Sequence, residues 1–316
     1  MKKIITTLLI IGFAVTSFSQ SITNINDANS FLQAYFSPFG ESLGAGLNNG
    51  WYNTAKPHKL GGFDVTLTLN TVSIPESSQS FNPNDLDNFS SSSNSTPTIL
   101  GKGEGAIINY GGNEFTMPEQ NLQLSYVPIP ALNAGIGIFK KTEIDVRYVP
   151  TYEYKLGFAG KGSVGLWGVG VKHDLLQWIP VVGDAIPISL SLQIGHTNLN
   201  TKFDVESADA KQAVELNVKA TTINLIASKK ILMLTGYAGV GYNSSSTSFT
   251  ADTDLKLGNV NNQIDFDVPL EMSFESVNEF RANIGIRFNL TVIAFQANHT
   301  FSKYPVTTLG VGVSLR

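Results

Sequence analysis

Phe280-Arg281-Ala282-Asn283-Ile284-Gly285-Ile286-Arg287-Phe288-Asn289-Leu290 decides the fold. Every even position is apolar, and the odd ones are Arg, Asn or Gly. Successive side chains of a strand point to opposite faces, so this run has one greasy wall and one polar wall. The following runs repeat the pattern. Ile293, Phe295 and Ala297 oppose Gln296, Asn298 and Thr300; Leu309, Val311, Val313 and Leu315 oppose Thr308, Gly310, Gly312 and Ser314. Upstream, Ile188, Leu190, Leu192 and Ile194 oppose Ser189, Ser191 and Gln193, while Phe63, Val65, Leu67 and Leu69 oppose Asp64, Thr66, Thr68 and Asn70.

Runs of ~9–11 residues with this dyad period, separated by turns, are the signature of a transmembrane barrel. The expectation is an all-β protein: a single antiparallel transmembrane β-barrel of 10–14 strands over residues 60–316. A soluble secreted β-sandwich also alternates. Two features argue against it. The polar walls hold Gly, Asn, Ser, Thr and Gln rather than the Lys and Glu that coat soluble sheets. Connections also differ by side: Lys140-Lys141 and Lys229-Lys230 read as tight turns, while Glu76 to Pro97 and Ser245 to Asn262 read as long polar loops, the former too poor in apolar residues to order itself.

Residues 1–19 read as a secretory signal, cleaved near Ser19/Gln20: Lys2-Lys3, an apolar run from Ile4 to about Val15, then Ser17 and Ser19 as the small cleavage-site residues. Residues 20–59 read as a plug-like segment. A short helix is expected over Asn26 to Phe36, capped at Asn24 or Asn26 and ended by Pro38, followed by a Gly- and Asn-rich stretch. Phe31, Leu32, Tyr35, Leu43 and Trp51 are its candidate functional side chains.

Composition excludes whole classes of function. There is no Cys, so no disulfide, thiolate nucleophile or lipidated cysteine. Lys and Arg number 21 against 25 Asp and Glu; without Lys2 and Lys3 the balance is 19 to 25, the opposite of a nucleic-acid-binding face. No zincin, nucleophile-elbow or phosphate-loop motif occurs, and His58, His173, His196 and His299 stand apart in sequence. No catalytic residue, cofactor or metal is expected; Asp252, Asp254, Asp265 and Asp267 lack calcium-loop spacing. Charges on the polar walls are more informative, because Arg or Lys on the lipid face costs ~2–4 kcal/mol at the midplane. Glu143, Asp145, Arg147, Glu153, Lys155, Glu215, Lys219, Arg281 and Arg287 are therefore expected to face the lumen.

The Lys2-Lys3 leader ending Ser-Phe-Ser-Gln, the run from Gly168 to Pro180 and the last strand from Thr308 to Arg316 resemble uncharacterised outer-membrane β-barrel proteins of the Bacteroidota, over essentially the whole mature chain. These are distantly similar to fatty-acid and hydrocarbon porins, which also carry an N-terminal plug. Ending on Arg316 departs from the aromatic terminus common in barrels. The resemblance implies outer-membrane lipid and the barrel-assembly machinery as partners. The expected function is passage or binding of small molecules, hydrophobic ones included; the alternative is a structural or adhesive barrel with a filled lumen.

Overall fold

The computed structural model describes residues 19–315, apart from 23, 121–123, 157–159, 180–186, 208–209, 252–254, 260–261, 267–269 and 276–277. Residues 1–18, and with them most of the expected signal, lie outside this set. Ten antiparallel strands close into a barrel: β1 (Phe63–Ser73), β2 (Tyr126–Ile138), β3 (Thr142–Leu156), β4 (Gly160–Asp174), β5 (Ser189–Ser207), β6 (Ala210–Ile231), β7 (Leu234–Ala251), β8 (Glu279–Leu290), β9 (Ile293–Phe301) and β10 (Val306–Leu315). Each pairs with the next, and β10 returns to β1 in a ladder from Phe63↔Leu315 to Val72↔Val306. No described helix is long and apolar enough to cross a membrane.

Three hairpin turns lie at one rim. They use left-handed residues, as tight hairpins require: Lys140 and Lys141 (φ 54° and 45°), Leu232 (φ 56°) and Thr291 (φ 55°). The second turn corrects the expectation at Lys229-Lys230. Both lysines remain in the ladder, opposite Gly236 and Thr235, and the chain reverses at Leu232-Met233. β2 carries Pro128 and Pro130, which cannot donate to a ladder. Its pairing with β3 covers only Leu132 to Ile138, so both prolines sit where that side is unpaired.

The outer wall is an apolar belt. Leu67, Ile136, Val169, Ile194, Val240, Ile284 and Val311 all point outward and are about half exposed. From Phe280 to Leu290 the belt runs ten residue steps of ~3.3 Å at a tilt of ~40°, a height of about 25 Å, that of an outer-membrane barrel's hydrocarbon band. Inside, at the same level, Thr66, Thr68, Asn70, Gln193, Asn224, Asn283 and Gln296 are buried and polar.

Toward the other rim this polarity reverses. β5, β6 and β7 run past the belt, and there Leu199, Leu216, Val218 and Phe249 face inward into one apolar core with the N-terminal helix. The outer face becomes Asn200, Lys202, Glu215, Asn217 and Lys219. In its upper part the barrel is built like a soluble protein.

The long connections gather at this second rim. Residues 74–125 form a cap with a three-stranded sheet (Phe89–Ser91, Ile107–Tyr110, Asn113–Thr116) and a small pair (Ser80–Phe81 with Thr96–Pro97). The Ser/Asn stretch expected to be unstructured is held by local polar bonds and by Phe81, Leu86 and Phe89, which pack on the apolar core. Asn84 Oδ1 accepts from the Ser91 amide at 2.8 Å, and Asn84 Nδ2 donates to the Ser93 carbonyl at 3.2 Å. Ser245 to Asn262 is likewise no simple loop: β7 continues to Ala251, and Leu255–Asn259 pairs with Asn262–Phe266.

Candidate functional site

The lumen is occupied by the chain itself. Helix α1 (Ile25–Leu47) starts at the cap, where Asn24 Oδ1 accepts the Asn26 amide at 2.9 Å. It runs eleven residues further than the expected stop at Phe36, straight through Pro38. Pro38 removes one helical donor, but a helix inside a closed wall satisfies its remaining backbone groups by itself, which an extended chain there would not. Asp27, in the first turn, accepts from Tyr110 Oη at 2.8 Å and Asn88 Nδ2 at 3.1 Å, tying the helix to the cap. Phe31 stacks on Phe89 (5.3 Å) and meets Phe115 edge-on (5.7 Å); Phe36 stacks on Phe249 of the wall (5.1 Å). Phe31, Leu32, Tyr35 and Leu43 are all buried in this one core.

α1 has no basic residue in its last turn. The wall supplies two, from opposite sides. Arg147 on β3 donates to the carbonyls of Leu47 (2.7 Å) and Asn49 (2.6 Å). Arg281 on β8 donates to the Asn48 carbonyl (2.8 Å) and to Asn49 Oδ1 (2.7 Å). Unpaired carbonyls and the negative end of the helix dipole make this a site for cations. The Arg147 guanidinium also lies 4.2 Å from the centre of the Trp51 ring. That indole lies flat on the wall over Gly168, Gly170 and Gly195, where a Cβ on Gly195 would stand 2.6 Å from its Cε2.

From there the chain descends to the short-turn rim, fastened at nearly every step. Tyr52 Oη donates to Asn283 Oδ1 at 2.7 Å, and Asn53 Oδ1 accepts from Arg287. The Ala55 amide donates to Ser228 Oγ at 3.0 Å, and its carbonyl accepts from Ser191. The His58 amide and Nδ1 both point to Glu143 Oε2 at 2.7 Å, while Nε2 faces Ser314 Oγ at 3.4 Å. Lys172 Nζ holds the other Glu143 oxygen at 2.7 Å. The order Ser314–His58–Glu143 is that of a hydroxyl relay. Its ends lie on β10 and β3 and its middle on the lumen segment, so it fastens that segment to the wall.

Of the charges expected in the lumen, Glu143, Asp145, Arg147, Arg281 and Arg287 are buried there. Glu215 and Lys219 face outward, against expectation. They stand in the upper barrel, where the apolar wall is the inner one, and Glu215 pairs with Lys202 at 2.9 Å in solvent. Glu153 is also exposed: the β3–β4 register shifts between Val164 and Leu166, and beyond that bulge the inward parity of β3 changes. The side chain of Lys155 lies outside the described residues, as do Asp252, Asp254, Asp267 and the side chain of Asp265. In the sequence Asn70, Ser191 and Asn283 stood only as polar-wall residues and His58 as an isolated histidine, and Lys172 and Ser228 carried no reading of their own. The inward glycines at 168, 170 and 195 were the available signal, since a strand glycine marks close approach by another group.

On the outer wall, Leu225, Val240, Gly241, Phe280 and Phe301 edge an apolar groove of about 680 Å³ within the belt. The model of a family of unknown function, DUF6588, matches residues 1–315. No curated protein matches the chain. Among solved structures it is similar to the translocator domain of the autotransporter NalP from Neisseria meningitidis (11% identity, 92% of this chain and 97% of that one, TM-score 0.35). It is similar also to the outer membrane protease OmpT from Escherichia coli (8%, 80% and 97%, 0.39) and to Ail, the attachment invasion locus protein of Yersinia pestis (9%, 81% and 97%, 0.30). At these TM-scores the likenesses carry no argument about what the barrel does.

Proposed function

The chain belongs to the family of unknown function DUF6588, and from its geometry we propose an outer-membrane barrel sealed by its own N-terminal segment, whose work is to hold an ordered cap outside the cell. One observation carries this reading: residues 25 to 59 run the length of the lumen and are bonded there to arginines from both walls. Short turns belong to the periplasmic side of such barrels and long connections to the outside. The cap of residues 74–125 is then external, and the polar skirt of β5–β7 stands in water above the membrane. Passage of small molecules, expected from the apolar residues of the N-terminal segment, requires that segment to leave. Phe31, Leu32, Tyr35 and Leu43 support the sealed reading instead, because their surfaces are covered by the cap and wall.

Planar-bilayer and liposome-swelling measurements test this. The intact protein is expected to be silent to ions and small solutes, and a chain lacking Asn26 to Asn53 is expected to conduct. Steady porin-like conductance from the intact protein sinks the proposal and restores passage as the function.

A further inference from the structure

We propose that the short-turn end of the lumen binds one calcium ion, held by Asp64, Glu143 and Asp145. Asp64 on β1, Gly135 on β2 and Asp145 on β3 are direct cross-strand partners, so a glycine separates two inward carboxylates. The point where a Cβ of residue 135 would sit lies 2.7 Å from Asp145 Oδ1, 2.9 Å from Asp64 Oδ1 and 3.1 Å from Glu143 Oε1. Glycine alone leaves that point open. Beside it lies a cavity of about 20 Å³ lined by these three acids with Trp51, Lys172 and Gln296, and ~10–15 Å³ suffices for one water.

A second observation is independent of the clustering. Asp145 is 6% exposed, and its Oδ2 has no hydrogen-bond partner. Buried carboxylates are normally paired or bound to a metal. Glu143 is already served by Lys172 and His58. Arg147, the next cation along the wall, turns its guanidinium to carbonyls. Ionised together, three carboxylates beside one ammonium would carry two net negative charges, the charge a divalent ion cancels. A ring nitrogen of His58 lies within 4.8 Å of the Asp64 and Glu143 ligand atoms, but its Nδ1 is directed at Glu143, which leaves carboxylate oxygens as the ligands. Hard oxygen donors select calcium or magnesium. Calcium tolerates irregular oxygen geometry where magnesium demands a near-ideal octahedron, so carboxylates fixed on separate strands favour calcium.

Trp51 lines the same cavity and provides the readout. Terbium, a luminescent stand-in for calcium, is added to the full-length protein in detergent micelles, with indole excitation. Saturable emission at one ion per chain is expected, displaced by calcium and lost in Trp51→Phe, which still binds by calorimetry. Asp145→Asn and Gly135→Ala are expected to weaken binding at least tenfold, and calcium should raise the melting temperature of the unsubstituted protein and of Trp51→Phe, but less or not at all in these two variants. If Gly135→Ala does not fold, judged by heat-dependent electrophoretic mobility, the isosteric Asp145→Asn decides. Absence of saturable emission from folded protein overturns the proposal, as does unchanged affinity in folded Asp145→Asn. So does an Asp145→Asn protein at least as stable as the parent in calcium and in chelator alike, since a shared proton then settles the carboxylates.

Discussion

Arg147 and Arg281 do together what a single lysine in the last turn of a helix often does. They reach that helix end from the wall, so they also fix its height and rotation. Each N–H bond from a charged group contributes roughly 1.5–3 kcal/mol, and a buried carbonyl left without its donor costs further. Arg147→Met is therefore expected to lower unfolding free energy by about 3 kcal/mol or more, read from urea titrations in micelles by Trp fluorescence. Glu215→Gln removes an exposed pair and is expected to change it by less than ~0.5 kcal/mol. The same two residues mark what was readable at this scale. Alternation states which side chains share a wall, and for Arg147 the lipid penalty settles which wall is inside. For Glu215 and Lys219 that penalty does not apply, because they stand above the membrane, so the period was right and the inference from it was not. Partners such as Arg147 with Leu47, one hundred positions apart, leave no local trace at all.

At the scale of elements, close approach of the lumen segment to the wall depends on what the strands omit. Gly195→Ala puts a methyl group against the Trp51 indole, and overpacking of this kind costs about 1–3 kcal/mol. A loss of that size, with a changed near-ultraviolet indole signal, is expected for the variant and not for Gly236→Ala, where nothing lies within 4 Å of an added Cβ. The antiparallel barrel and a range of 10–14 strands were legible because belt-spanning runs must alternate; the exact number, ten, was not. The helix beyond Pro38 was not, since Pro38 and the glycines at 40, 44 and 46 weigh against a helix that the surrounding wall nonetheless holds. The cap was missed for another reason: its few apolar side chains, Phe89 and Phe115 among them, bury against the lumen helix far along the chain, and its Asn and Ser side chains bond to nearby backbone, which composition alone reads as looseness.

At the scale of the molecule, the reversal of polarity along the barrel axis sets its depth in the membrane. Because the chain has no native cysteine, single substitutions report that depth directly. Lys219→Cys and Asn94→Cys are expected to react with an impermeant maleimide on intact cells. Leu232→Cys, at the opposite rim, should react only after permeabilisation, and Val240→Cys, within the belt, in neither case. Labelling of Leu232→Cys on intact cells inverts the orientation and moves the cap to the periplasm. The seam between β1 and β10 carries a further consequence. The segment that fills the lumen precedes the first strand, and the pairing that shuts the ring joins Phe63 to Leu315. Both edges of that seam are tied to the filling: β1 follows it directly along the chain, and β10 carries Ser314, whose hydroxyl faces His58.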